Sequence, residues 1–324
     1  MRTWFGVLVG VLVLAGCGKE EPQPNGMARE ITIGVIAKSQ SNPVFQAARV
    51  GAEDAARELS TERVRITIDW RTPNDEDAQQ QANNLQSLVA AGVDGIAISC
   101  SDASMVTHAI NDAVDKGVAV MCFDSDAPES QRFCYHGIDD VACGKAVMRE
   151  LAKALGPKGG TIAILAGNQT APNLQKRVQG VRDEAKKHPS ITIKDVYYHK
   201  ETPQDAAAKV EQVQTANPDI AGWAMVGGWP LFTDALLKWE PGKVKIVAVD
   251  ALPAQLPYVE KGIAQVLLAQ QVYKWGHRSV ELLVDQIVHG KAPDAARDIS
   301  ELIPVTADNV AEFAKNWETW LPKK

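Results

Sequence analysis

From residue 31 onward, short and nearly continuous apolar runs alternate with longer stretches in which apolar residues recur every three or four positions. ITIGVIA (31–37), VRITIDW (64–70), DGIAIS (94–99) and VAVMCF (118–123) are of the first kind, and 42–59, 75–91 and 103–116 of the second. Unbroken apolar runs of this length suit strands covered on both faces, so the pattern predicts a βαβα chain around a parallel sheet. FCYHGI (133–138) reads as a transition, after which the alternation restarts. Helices are expected at 140–155, 172–188, 203–216, 230–239 and 253–261, with strands TIAILA (161–166), ITIKDVYY (191–198), IAGWAMV (220–226), VKIVAVD (244–250) and AQVLLAQQ (264–271). A long amphipathic helix to about 288 and a tail holding Trp317 and Trp320 complete the chain. The fold class is therefore α/β, with two doubly wound, Rossmann-like parallel-sheet domains.

The N-terminus breaks this pattern. Arg2 precedes an apolar stretch from Trp4 to Leu14, shorter than the roughly 20 residues a membrane-spanning helix needs. It reads as a cleaved export signal. The small residues of LAGC, ending at Cys17, resemble the lipobox of bacterial lipoproteins, which makes 1–17 the signal with its lipidated cysteine. Residues 18–29, GKEEPQPNGMAR, form a polar tether without apolar periodicity, and the folded part begins at Glu30.

Bulk properties narrow the function. The chain has 324 residues, enough for two domains, and 45% hydrophobic with 23% charged residues is a globular composition. The net charge of -6 and the scattered basic residues leave no footprint for nucleic acid. Cys100, Cys122, Cys134 and Cys143 form no CxxC pair, which gives no zinc signature. Cys100 and Cys122 sit in apolar runs and read as buried thiols.

In doubly wound sheets ligands bind beyond the carboxyl ends of the strands. Those positions hold Lys38, Ser39, Asn42 and Phe45, then Ser101 and Asp102, then Asp124, Ser125 and Asp126. In the second half they hold Asn168 and Gln169, Gly228 and Trp229, Asp250, and Gln270. One reading of the D-x-D at 124–126 is a metal-dependent phosphatase, whose chemistry needs a nucleophilic carboxylate and Mg²⁺. That motif normally sits on an early strand, and no matching lysine and acid pair follow here. G-x-S-x-G is absent. A polyol site asks instead for carboxylates that accept from hydroxyls, an arginine that donates twice, and aromatic rings over C–H faces. Asp124, Asp250, Arg177, Asn42, Gln270, Phe45 and Trp229 are the right types. The plainer alternative for Asp124 and Asp250 is helix capping, for Trp229 core packing, and for Ser125 and Asp126 a turn.

IGVIAKSQSNPVFQAARVGAEDAARELS, CFDSDAP, YHGIDDVACGKAV, KRVQGV and KIVAVDALPAQLPYVEKGIAQVLLAQQ together carry a family likeness. From about 31 to 290 the chain resembles the type I periplasmic sugar-binding proteins of the ribose-binding group, receptors of ABC importers. The resemblance implies a type I periplasmic binding protein fold, with two lobes joined by a multi-segment hinge. Crossings fall near 137–139, 269–272 and 302–304, giving an N-terminal lobe of 30–137 plus 271–302 and a C-terminal lobe of 138–270 plus 303–324. It implies ligand contacts from Asn42, Phe45, Asp124, Arg177, Asp250 and Gln270, with Asp140 standing where the family often has asparagine. Val249 replaces an aromatic residue, GGWP (227–230) replaces the usual Asn-Asp pair, and Trp229 offers an aromatic face instead. Lys38 is unusual for a neutral sugar and leaves a sugar acid or other anionic ligand open. The implied protein is a monomeric, non-enzymatic receptor without cofactor or metal, held in the bacterial cell envelope by a lipid anchor on the periplasmic or extracytoplasmic face. It passes a monosaccharide or polyol to an ABC permease. A receptor signalling to a membrane kinase or chemoreceptor is an alternative. A DNA-binding regulator of the lactose-repressor type shares the core but needs an N-terminal helix-turn-helix where this chain has an export signal.

Overall fold

Two six-stranded sheets organise the computed structural model, which describes residues 28–321. The expected export signal, the expected lipidation position Cys17 and nearly all of the expected tether lie outside the described residues. The first sheet uses β1 (Arg29–Ile36), β2 (Val64–Trp70), β3 (Gly95–Ile98), β4 (Ala119–Phe123), β5 (Cys134–Gly137) and β11 (Arg297–Ile299) in the order β11-β5-β4-β3-β1-β2. All its pairings are parallel. The second uses β6 (Gly160–Ala166), β7 (Ile191–Tyr198), β8 (Ile220–Met225), β9 (Lys245–Val249), β10 (Val266–Ala269) and β12 (Ile303–Val305) in the order β12-β10-β9-β8-β6-β7. Only the β10–β12 pairing is antiparallel. Central strands are apolar throughout because helices cover both faces, and β3 is buried at every position.

Polar residues start the helices where the sequence places them. Asn42 caps α1 (Pro43–Leu59) by accepting from the Val44 N–H at 3.3 Å, with Pro43 pre-set in the first turn. Asp77 caps α2 (Ala78–Ala90), Asp102 caps α3 (Ala103–Asp115) and Asp139 caps α4 (Asp140–Leu155). The Asp139 carboxylate is thereby engaged with its own backbone, and its neighbour Asp140 turns inward. α5 (Pro172–Ala185) and α6 (Pro203–Ala216) complete the second lobe's longer helices.

Both lobes use glycine to bring two helices into backbone contact. A Cβ on Gly144 of α4 would lie 1.9 Å from the Arg177 carbonyl of α5, and one on Gly180 would lie 2.2 Å from that of Val141. In the first lobe Gly51 of α1 faces Tyr273 in the same way, and Gly276 faces Ala48, where α1 meets α8 (Val272–His289). Gly144→Ala is therefore expected to push α5 away and cost about 1–3 kcal/mol as an overpacked site. Urea unfolding at neutral pH checks this, and an unchanged midpoint would show that the crossing has slack.

Three segments depart from the expectation. FCYHGI forms strand β5 rather than a bare transition, its short register with β4 masked in sequence by His136 and Gly137. The expected helix at 230–239 is two single 3₁₀ turns, Trp229–Phe232 and Ala235–Lys238. The Tyr258 hydroxyl holds this break, donating to the Thr233 carbonyl and accepting from the Leu236 N–H. Strands β11 and β12 were not expected, because three residues each are too short to show an alternating period.

The chain changes sheet between Gly137 and Gly160, returns through α8, which packs against α1 and the first sheet, and changes again between Ile299 and Ile303. α7 (Leu256–Glu260) precedes β10, and α9 (Val310–Ala314) and α10 (Trp317–Trp320) form the tail. Trp317 donates to the Ala251 carbonyl at 3.0 Å while Trp320 stacks on Tyr273, so the tail touches elements of both sheets.

Candidate ligand-binding cleft

β4 and β9 each end in an aspartate with a left-handed backbone, Asp124 at φ 55° and Asp250 at φ 76°. No other non-glycine residue among the described residues has positive φ. Aspartate tolerates this region better than most side chains, yet it persists only where neighbours hold it. The Asp124 N–H donates to His136 of β5 at 3.0 Å and that of Asp250 to Leu268 of β10 at 2.9 Å. Tyr135 Oη adds a bond to the Asp124 carbonyl at 2.9 Å. Each carboxylate is turned out of its sheet into the gap between the lobes. Neither caps a helix: α7 begins only after Gln255, and none separates Asp124 from β5.

Arg177, on the face of α5 that packs against α4, is 2% exposed and joins these groups. Its Nε donates to Asp140 Oδ1 at 2.9 Å, Nη1 to the Val226 carbonyl at 3.1 Å and Nη2 to Gln270 Oε1 at 3.0 Å. Nη2 also stands 3.9 Å from Asp124 Oδ1, across the gap. Gln270 in turn donates to Asp250 Oδ1 at 2.8 Å, and Ser99 Oγ donates to Asp124 Oδ2 at 2.7 Å. Asn173 bridges the lobes by donating to Asp124 at 3.4 Å and accepting from Lys38 Nζ at 3.2 Å.

Lys38, Asn42, Phe45, Asp124, Arg177, Trp229, Asp250 and Gln270 line one small cavity of about 30 Å³. Of the nine residues named as ligand-contact candidates Asp140 alone is off its wall; it sits behind Arg177 and fixes the guanidinium. Asn173, Glu201 and Trp275 were not foreseen. Asn173 lies four residues before Arg177 on the same helix face, a spacing that could have revealed it. Glu201 follows the end of β7, where the strand-end rule also applies. Trp275 packs on Phe45 and Phe123 at ring separations of 6.1 and 6.5 Å, and its indole N–H is buried without a partner. Sites for small molecules usually enclose roughly 300–1,000 Å³, so an occupant of that size fits only as the lobes part.

Burial dominates the charges here. It pushes the Asp140 carboxyl up to about 6 even with Arg177 beside it, and raises Asp250 against the opposing pull of Gln270 and Arg177. Burial works against the cation of Lys38 too, but Glu201, Asp124 and Glu76 outweigh it and hold the ammonium charged. Asp126 faces elsewhere, pairing with Arg132 through Nη2 at 2.7 Å. The two carboxylates of D-x-D therefore do not converge on one point. Cys100 and Cys122 are buried thiols in van der Waals contact, Sγ to Sγ 3.9 Å.

Comparison with known proteins gives a consistent set. The periplasmic binding protein domain family matches residues 33–292. A ribose import binding protein of Bacillus subtilis is 24% identical over 289 residues, covering 87% of this chain and 92% of that protein. A D-allose-binding periplasmic protein of Escherichia coli is 24% identical, covering 79% and 85%. Among solved structures, an ABC transporter solute-binding protein of Burkholderia graminis in complex with D-arabinose superposes with a TM-score of 0.81 at 27% identity, covering 87% of this chain and 97% of that one.

Proposed function

This chain belongs to the periplasmic binding protein domain family, and we propose that it is the substrate-binding component of an ABC sugar importer. It captures one monosaccharide or similar polyol between its lobes, closes over it and releases it unchanged to the permease. The observation that carries this reading is that Asp124 from the first sheet and Asp250 from the second face one cavity, with Arg177 anchored between them. Carboxylates from opposite lobes can grip hydroxyls on opposite sides of a ring, while Phe45, Trp229 and Trp275 supply apolar faces. Each charge-assisted bond contributes roughly 1.5–3 kcal/mol, so three or four suffice for the roughly 8 kcal/mol of micromolar binding.

Closure is the signal the permease reads. A ligand shifts the hinge equilibrium only by its differential affinity for the closed form, and contacts from both lobes to one molecule provide it. The lobes are 30–137 with 271–302 and 138–270 with 303–324, and the anchor is a lipid on Cys17 that keeps a monomeric receptor at the extracytoplasmic face. Lys38 gives little support to an anionic ligand, because three carboxylates already surround its ammonium.

A thermal-shift screen over pentoses, hexoses, deoxysugars, polyols and sugar acids tests the reading. A ligand at 100 times its Kd stabilises by about 2.7 kcal/mol, or about 4 °C for a protein of this size. At least one neutral sugar or polyol is expected to produce such a shift. A panel without any response would overturn the proposal.

A further inference from the structure

Glu201 belongs to two spaces. Besides the small cavity, it lines a second one of about 750 Å³ between the lobes, whose other walls include Ser39 and Glu76 from the first lobe and Asn168 and His199 from the second. Trp229 connects the two regions, its ring meeting His199 edge-on at 4.9 Å. Two buried polar atoms without a partner, Glu76 Oε1 and His199 Nε2, belong to residues that line the larger space, and a third, Trp275 Nε1, to one that lines the smaller. A buried polar atom left without a partner is costly. An occupant of the larger space with polar groups of its own would find partners there in Glu76 Oε1 and His199 Nε2.

The charge of that space is one-sided. Asp75, Glu76, Glu201 and Asp205 line it against a single ammonium, Lys200. Burial holds His199 below its usual range, so the imidazole adds no cation at neutral pH. Lys38, on the inner side, already faces three carboxylates. Glu76 and Glu201 come from opposite lobes, so closing the cleft drives two like charges together. With a neutral sugar only Lys38 opposes that repulsion; a second cation between the two carboxylates turns it into a reason to close.

We propose that the ligand is a polyol bearing a protonated amine, whose ammonium lies between Glu76 and Glu201 while its hydroxyls meet Asp124 and Asp250 in the inner cavity. This rests on the reading of the cleft as a polyol site. Burial, and then the Glu201 carboxylate, push the Glu76 carboxyl up to about 7, with Lys38, Asn168 and Ser101 pulling the other way. An arriving ammonium favours the carboxylate, so binding near pH 7 releases protons from this residue.

Calorimetry with matched pairs tests this: D-glucose with D-glucosamine, D-galactose with D-galactosamine, D-glucose with 6-amino-6-deoxy-D-glucose, and D-ribose with 2-amino-2-deoxy-D-ribose. In at least one pair the amine is expected to bind tenfold or more tightly than its parent. Its enthalpy should vary with the ionisation enthalpy of the buffer, as proton release requires, and Glu76→Gln should remove the preference. Parents that bind as well as or better than their amines would overturn this proposal and leave the polyol reading standing. Failure of every member to bind, together with no response across the broader panel of sugars and polyols, would overturn that reading and this proposal with it.

Discussion

Replacing Arg177 with methionine is expected to cost about 3–5 kcal/mol of folding stability and to abolish ligand binding. The stability loss follows from what is left behind. Methionine fills much of the arginine stem but satisfies neither the Asp140 carboxylate, the Val226 carbonyl nor Gln270. Removing one member of a buried pair leaves the other charge uncompensated, which costs more than the pair was worth. Burial already holds Asp140 at about 6 with the guanidinium present, so without it the carboxyl rises further. A folded-state value above the unfolded one, roughly 3.9, means the native state holds an extra proton in acid. Below about 6 the carboxyl is protonated in wild type and variant alike, so the variant's deficit from this group should shrink as the pH falls toward 6 and be largely gone by about pH 5. Urea unfolding followed by circular dichroism at pH 7 and pH 5 measures both effects, and Asp140→Asn added to Arg177→Met should recover a large part of the loss. A deficit below about 1 kcal/mol at pH 7 would mean that the pair is solvated like a surface one.

Asp250→Asn is expected to separate binding from stability. Loss of one charge-assisted bond, roughly 1.5–3 kcal/mol, weakens affinity about 10- to 150-fold. The melting temperature should nevertheless stay level or rise at pH 7. Burial raises the Asp250 pKa, so above the unfolded value the ionised carboxylate opposes folding, and a neutral amide removes that opposition. Asparagine also tolerates φ 76°, whereas alanine there would add roughly 1–2 kcal/mol of left-handed strain. Calorimetry and thermal unfolding of the same preparation decide the matter. A variant that loses both binding and stability would make Asp250 a structural residue.

Much of this was legible because apolar strands and strand-end chemistry leave strong marks. VAVMCFDSDAP and KIVAVDALP each show a buried run broken by an acid, and both acids stand at the cleft because parallel strands deliver their carboxyl ends to the same side. The roles within the cluster were less visible. Asp140 was named as a wall residue, yet the Asp139 cap starts α4 so that Asp140 meets Arg177 from behind. Trp275 was hidden inside an amphipathic helix, where an aromatic residue at core spacing carries no sign that its indole N–H lacks a partner. The broken helix after Trp229 depends on Tyr258, distant in sequence, and no local pattern announces such a contact. Glu76 and Glu201 look like ordinary surface acids until the two lobes bring them to one space.

The most direct test is a crystal structure of the protein with the tightest-binding sugar, polyol or amino sugar found by calorimetry. The account predicts one ligand molecule hydrogen-bonded at once by Asp124 from the first lobe and Asp250 from the second, with Arg177 beside it. A ligand held by one lobe alone, or seated away from both aspartates, would contradict it.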